Sequence, residues 1–125
     1  MCGIWALLGI KCPHTKAISM VHELEARGPE GTRITDISGR ITFGFTRLAI
    51  NGLTDAGMQP FQTEGLSWIC NGEIYNSRDI EQNLGLQPLG SDCECIGQLY
   101  LRHRHDLATL ARALDGVFAI VLYDA

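Results

Sequence analysis

The chain has no apolar run long enough to cross a bilayer. Its longest, Ile4 to Ile10 and Val117 to Tyr123, are strand-length. Nor does it open on the charged n-region of a secretory leader, so export is not expected. Lys and Arg total 10 against 14 Asp and Glu, a net charge of −4, and the basic residues are scattered. Without a basic stripe or patch, nucleic acid and membrane surfaces are both excluded as expected partners. Five cysteines at irregular spacing are an odd number that suits no disulfide framework, which points to a reducing cytoplasm. Metal-ligand spacing is missing too. Cys12-x-His14, Cys93-x-Cys95 and His103-x-His105 have one residue between partners, where zinc pairs generally have about two to four. No metal is expected, and no internal repeat or low-complexity segment interrupts the chain.

What remains is an ordinary folded domain of 125 residues, 46% hydrophobic and 19% charged. Gly3 to Gly9 reads as a buried strand. Ala17, Met20, Val21 and Leu24 form the apolar stripe of a helix, stopped at Arg27-Gly28-Pro29-Glu30-Gly31. Ile34 to Ile37 and Ile41 to Ile50 suggest a hairpin, and residues 52–65, with Pro60 among them, suggest a loop. Leu66 to Cys70 is a strand that continues past Asn71-Gly72 to Tyr75.

Helices follow, from an Asn76 N-cap to Gly85, from a Ser91-x-x-Glu94 capping box through Tyr100, and over Leu107 to Leu114. Val117 to Tyr123 is a last apolar strand. Strands in blocks with helices between them predict α+β layers with a largely antiparallel sheet. A core strand as the final element leads to the expectation that more chain normally follows.

Chemistry centres on Cys2, directly behind the initiator Met. Trimming Met1 would leave one residue with both a thiol and an α-amine, whose pKa values are ordinarily about 8.5 and about 7.7–8.0. That is a nucleophile carrying its own base. Asn71-Gly72 is the strongest short hairpin signal, but the same pair can aim a carboxamide and a backbone N–H at a developing oxyanion. Gly72 suits that task because no Cβ would block a substrate. Arg47, in the apolar run Phe45 to Ile50, is either a solvent-facing strand residue or a clamp for a carboxylate. Asp92 and Glu73 are either surface acids or partners for a substrate ammonium.

Jointly these segments resemble the glutaminase domain of asparagine synthetases, class II glutamine amidotransferases of the Ntn-hydrolase type. The matching pieces are Met1-Cys2-Gly3-Ile4, Arg27-Gly28-Pro29, Arg47-Leu48-Ala49-Ile50, Asn71-Gly72-Glu73-Ile74-Tyr75-Asn76, Ser91-Asp92-x-Glu94 and Leu114-Asp115-Gly116-Val117-Phe118-Ala119. They occur in the family's order over essentially the whole chain. The family's Arg-Gly-Pro-Asp stands here as Arg-Gly-Pro-Glu30.

The resemblance implies a layered αββα sandwich, shortened at its C-terminus, with residues 1–125 as a type 2 glutamine amidotransferase domain. It implies Cys2 as nucleophile, Asn71 and Gly72 as oxyanion donors, Arg47 at the substrate carboxylate and Asp92 at its ammonium. Backbone groups of Leu48, Ala49, Ile50, Asn51 and Glu73 would complete a glutamine pocket. No cofactor is expected here; ATP and magnesium belong to a synthetase domain or subunit, which would be the partner, with a homodimer left open. A glutamine-binding regulatory remnant, or an amidotransferase serving another acceptor, are the alternative readings.

Overall fold

The computed structural model describes residues 1–50 and 53–125. Two three-stranded antiparallel sheets stack between helices. The first has the order β1 (Gly3–Leu8), β3 (Ile41–Arg47), β2 (Gly31–Asp36). The second has the order β4 (Phe61–Thr63), β5 (Leu66–Ile74), β6 (Gly116–Asp124).

Alternation along the strands decides what each face meets. In β1, Trp5 turns outward onto α1 (His14–Leu24), where it packs with Ala17 and Val21. Gly44 lies opposite Trp5, and a Cβ there would overlap the indole ring. In β5, Trp68, Cys70 and Ile74 turn outward onto α2 (Ser77–Leu84) and α3 (Cys95–Arg102), meeting Ile80, Ile96 and Leu99. Leu114, just beyond α4 (Leu107–Ala113), closes the same cluster. Truncating a core Trp such as Trp68, 2% exposed, costs about 3–5 kcal/mol.

The opposite faces carry Phe43, Phe45 and Ile69, each at most 1% exposed. With β1 packed on β5, these side chains lie between the sheets. The order is therefore helix, sheet, sheet, helices, as the sequence and its resemblance predicted.

Several local expectations are corrected. Asn71-Gly72 is not a turn. It lies inside β5, opposite Ala119 and Phe118 of β6. β3 ends at Arg47 rather than Ile50, and the predicted loop contains the short strand β4. Ser91 makes no side-chain cap. A 3-10 turn (Asp92–Glu94) precedes α3, and Glu94 Oε2 instead accepts from Gly90 N–H at 3.1 Å. Asn76 stands at the N-cap position of α2 as expected, but its side chain makes no capping bond. Its carboxamide bridges to Ala113 O (2.9 Å) and Asp115 N–H (3.0 Å), tying α2 to the turn before β6.

Candidate functional site

Pairing Gly3 with Thr46 puts the start of β1 beside the end of β3. The C-terminal half of β5 meets that end of the sandwich from the other sheet. Between them lies a cleft of about 240 Å³ lined by Cys2, Arg47, Leu48, Ile50, Gly72, Glu73 and Asp92, with Gln59, Cys70 and Cys93 also in its wall. The structure thus brings together most of the residues singled out by sequence. Ala49 and Asn71 do not line the cleft, and Asn51 lies outside the described residues.

The first wall is built on the stretch after β3. Leu48 N–H donates to Cys2 Sγ at 3.3 Å, and the thiol lies 3.6 Å from Leu48 O. Arg27 Nε donates to Cys2 O at 3.2 Å. Glu30 holds the same stretch. Its N–H donates to Arg47 O (3.1 Å) and its Oε2 accepts from Ala49 N–H (2.9 Å). The longer acid in the Arg-Gly-Pro-Glu segment is therefore used, reaching the backbone one residue past Leu48. Arg47 is 8% exposed, so it is no solvent-facing strand residue, and its Nη2 donates to Thr54 O at 2.7 Å. Ile50 N–H bonds back to Leu48 O at 3.0 Å.

The second wall is the edge of β5. Asp92 Oδ2 accepts from Ile74 N–H at 2.7 Å, so this acid anchors the strand as well as facing the cleft. Asn71 Oδ1 is buried without a hydrogen-bond partner among the described residues. A buried carboxamide oxygen left in that state carries a desolvation cost of about 1–3 kcal/mol. Which end of an amide is oxygen rests on its partners, and here one polar end of the carboxamide has no partner among the described residues. Gly72 is required for a reason other than substrate access: a Cβ there would overlap Val117 O and crowd Phe118 Cα at 2.6 Å. Glycine lets β6 close on β5.

Sequence reading missed Gln59. It is 4% exposed, and its carboxamide accepts from Cys70 N–H (2.6 Å) and donates to Cys70 O (3.1 Å). A lone Gln before Pro60 in a polar segment carries no sign of this in sequence. In sequence Cys70 is only the end of an apolar strand, and Cys93 belongs to a pair whose spacing suits zinc poorly. The Cys93 thiol is pushed far up in pKa by its hydrogen bond with Cys70 and then by burial. Burial pushes Cys95 up to about 12. Neither is a ready thiolate. No group of three His, Cys, Asp or Glu residues among the described residues is arranged to hold a metal. Among the described residues no helix is long and apolar enough to cross a membrane.

Stacked antiparallel sheets with helices outside define an Ntn-hydrolase-like sandwich. A glutamine phosphoribosylpyrophosphate amidotransferase from B. subtilis superposes with a TM-score of 0.77 at 20% identity, covering 99% of this chain and 35% of that one. The chain belongs to the glutamine amidotransferase domain family, whose model matches residues 1–125. It is similar to glutamine-hydrolysing asparagine synthetases of Gallus gallus (37% identical) and Homo sapiens (37%), each over 99% of this chain and 23% of the relative. A probable asparagine synthetase of Acanthamoeba polyphaga mimivirus is 35% identical over 99% of the chain and 24% of the relative. The chain spans about a quarter of the length of these curated relatives.

Proposed function

We propose that this chain hydrolyses the side-chain amide of glutamine to glutamate and ammonia, using Cys2 as an N-terminal nucleophile. The observation that carries the reading is one small cleft lined by a thiol, a cation and two acids: Cys2, Arg47, Glu73 and Asp92. A zwitterionic amino acid with a terminal amide is complementary to that set. Arg47 pairs with its carboxylate and Asp92 with its ammonium, while the amide carbon lies toward Cys2.

Met1 also lines the cleft, and its removal frees the Cys2 α-amine. The amine takes the thiol proton as sulfur attacks the amide carbon. The Asn71 carboxamide and the Gly72 N–H stabilise the resulting oxyanion. The carbon–nitrogen bond then breaks, the amine's proton leaves with ammonia, and a thioester remains. Water adds to the thioester, releasing glutamate and restoring the thiol. Leu48, Ile50 and Glu73, which line the cleft, complete the pocket, and no cofactor takes part.

The relatives' names suggest the ammonia's use in making asparagine, and the resemblance adds an ATP-dependent synthetase domain or subunit as the acceptor, in the cytoplasm. Intact mass together with a glutamate-release assay tests the hydrolysis. Trimmed protein should release glutamate, and Cys2→Ala should fall to background. Equal release by the two would overturn the reading and leave a glutamine-binding remnant.

A further inference from the structure

We propose that Gln59 is a positioning residue for this reaction, holding the free edge of β5 so that the Gly72 N–H stays open to the cleft. The inference rests on the glutaminase reading and adds a residue to it. β4 is only three residues long and pairs with β5 no further than Trp68. Beyond that point β5 has a strand on its β6 side alone. Backbone groups on a strand alternate sides. Tyr75 N–H points to the β6 side, where it donates to Asp115 O at 2.8 Å. Cys70 and Ile74 point to the open side, where Gln59 takes both backbone groups of Cys70 and Asp92 takes the Ile74 N–H.

Gly72 lies midway between those two residues, so alternation directs its N–H to the same open side. The sheet ladder gives that N–H no partner there. Cys93 Sγ lies 3.9 Å from Gly72 O, too long to hold the strand. Gln59 and Asp92 are therefore the two splints on either side of a donor with no hydrogen-bond partner among the described residues. The Gln59 carboxamide replaces a strand neighbour at Cys70 and stops there. A continuing strand at this edge would pair with Gly72 and consume the donor. A side chain that satisfies one residue leaves it free.

The test compares wild type, Gln59→Leu and Gln59→Glu in the full chain. The measurements are kcat and KM for glutamine, and inhibition by the γ-aldehyde of glutamate. The Cys2 thiol adds to that aldehyde, forming a carbon–sulfur bond and passing its proton to the carbonyl oxygen, which then lies where the oxyanion would. Gln59→Leu loses both bonds to Cys70, and kcat should fall about 10- to 100-fold with aldehyde affinity falling in parallel. KM should change little. Gln59→Glu keeps an acceptor for Cys70 N–H but sets a second acceptor against Cys70 O, so a smaller loss of the same kind is expected.

Wild-type kcat in a folded Gln59→Leu protein would overturn the inference, as would a loss of kcat with aldehyde affinity intact. If Gln59→Leu does not fold, Gln59→Glu decides by the same two measures. A wild type that neither releases glutamate nor binds the aldehyde would instead overturn the glutaminase reading itself, and this inference with it.

Discussion

The two walls of the cleft are held by different means. The Cys2 wall rests on the backbone of residues 47–49, tied down by Glu30, whose side chain is exposed to water. The Gly72 wall is a strand edge held by Gln59, 4% exposed, and by Asp92 at the mouth of the 3-10 turn. A buried hydrogen bond has no water to replace it when lost, whereas a solvated one does. The wall that would carry the oxyanion donors is thus the more rigidly specified. The wall that carries the thiol can settle around whatever Cys2 becomes once Met1 is gone.

Substitutions can break or sharpen that contrast. Asn71→Ala, on the buried wall, should lower kcat about 10²- to 10³-fold with KM little changed, as for loss of an oxyanion donor. Unchanged turnover would remove Asn71 from the mechanism. Arg47→Leu should act chiefly on KM. Hydrogen bonds to a charged group are worth about 1.5–3 kcal/mol, so KM should rise about 10- to 100-fold. Because Arg47 also holds Thr54 O, thermal melting should show a modest loss of stability alongside it.

On the solvated wall, Glu30→Ala frees the Ala49 N–H to water, and kcat/KM should fall less than about tenfold. Glu30→Gln should recover most of that fall, since an amide oxygen also accepts; steady-state kinetics on both variants would check this. Smallest of all is Asp124, on the far end of β6. Arg104 beside it, at 2.7 Å, holds its carboxyl below the ordinary value of 3.8. A folded pKa below the unfolded one means that its contribution is present above pH 3.8 and is lost as pH falls through the lowered value. Asp124→Asn should therefore lower the melting temperature slightly at neutral pH and flatten the acid limb of stability against pH. Glutamate release at neutral pH should not change.

Much of this arrangement was legible in sequence because it is local. The stripe Ala17, Met20, Val21, Leu24 formed its helix, and the apolar runs after Cys2 and Gly116 formed β1 and β6. Cys2, Arg47, Gly72 and Asp92, each singled out in sequence, line one cleft. The failures are all non-local. Asn71-Gly72 has the residues of a hairpin, yet β6 arrives from far along the chain to pair with it, and that ladder outweighs local turn preference. The Gly72 hydrogen atom in place of a Cβ makes the pairing possible. Ser91 lost its capping role because Asp92 and Cys93 are drawn to β5 and Trp68, with Trp68 Nε1 donating to Cys93 O at 3.0 Å. Gln59 could not be found at all, since its importance depends on where β4 stops.

The most direct test is where a glutamyl group forms. Protein mixed with glutamine, quenched in acid and digested should carry a glutamyl thioester on Cys2 of the chain that has lost Met1. Cys2→Ala, and chains that retain Met1, should carry none. Glutamate release with the adduct on Cys70 or Cys93, or from chains that still begin with Met1, would contradict the Cys2 mechanism.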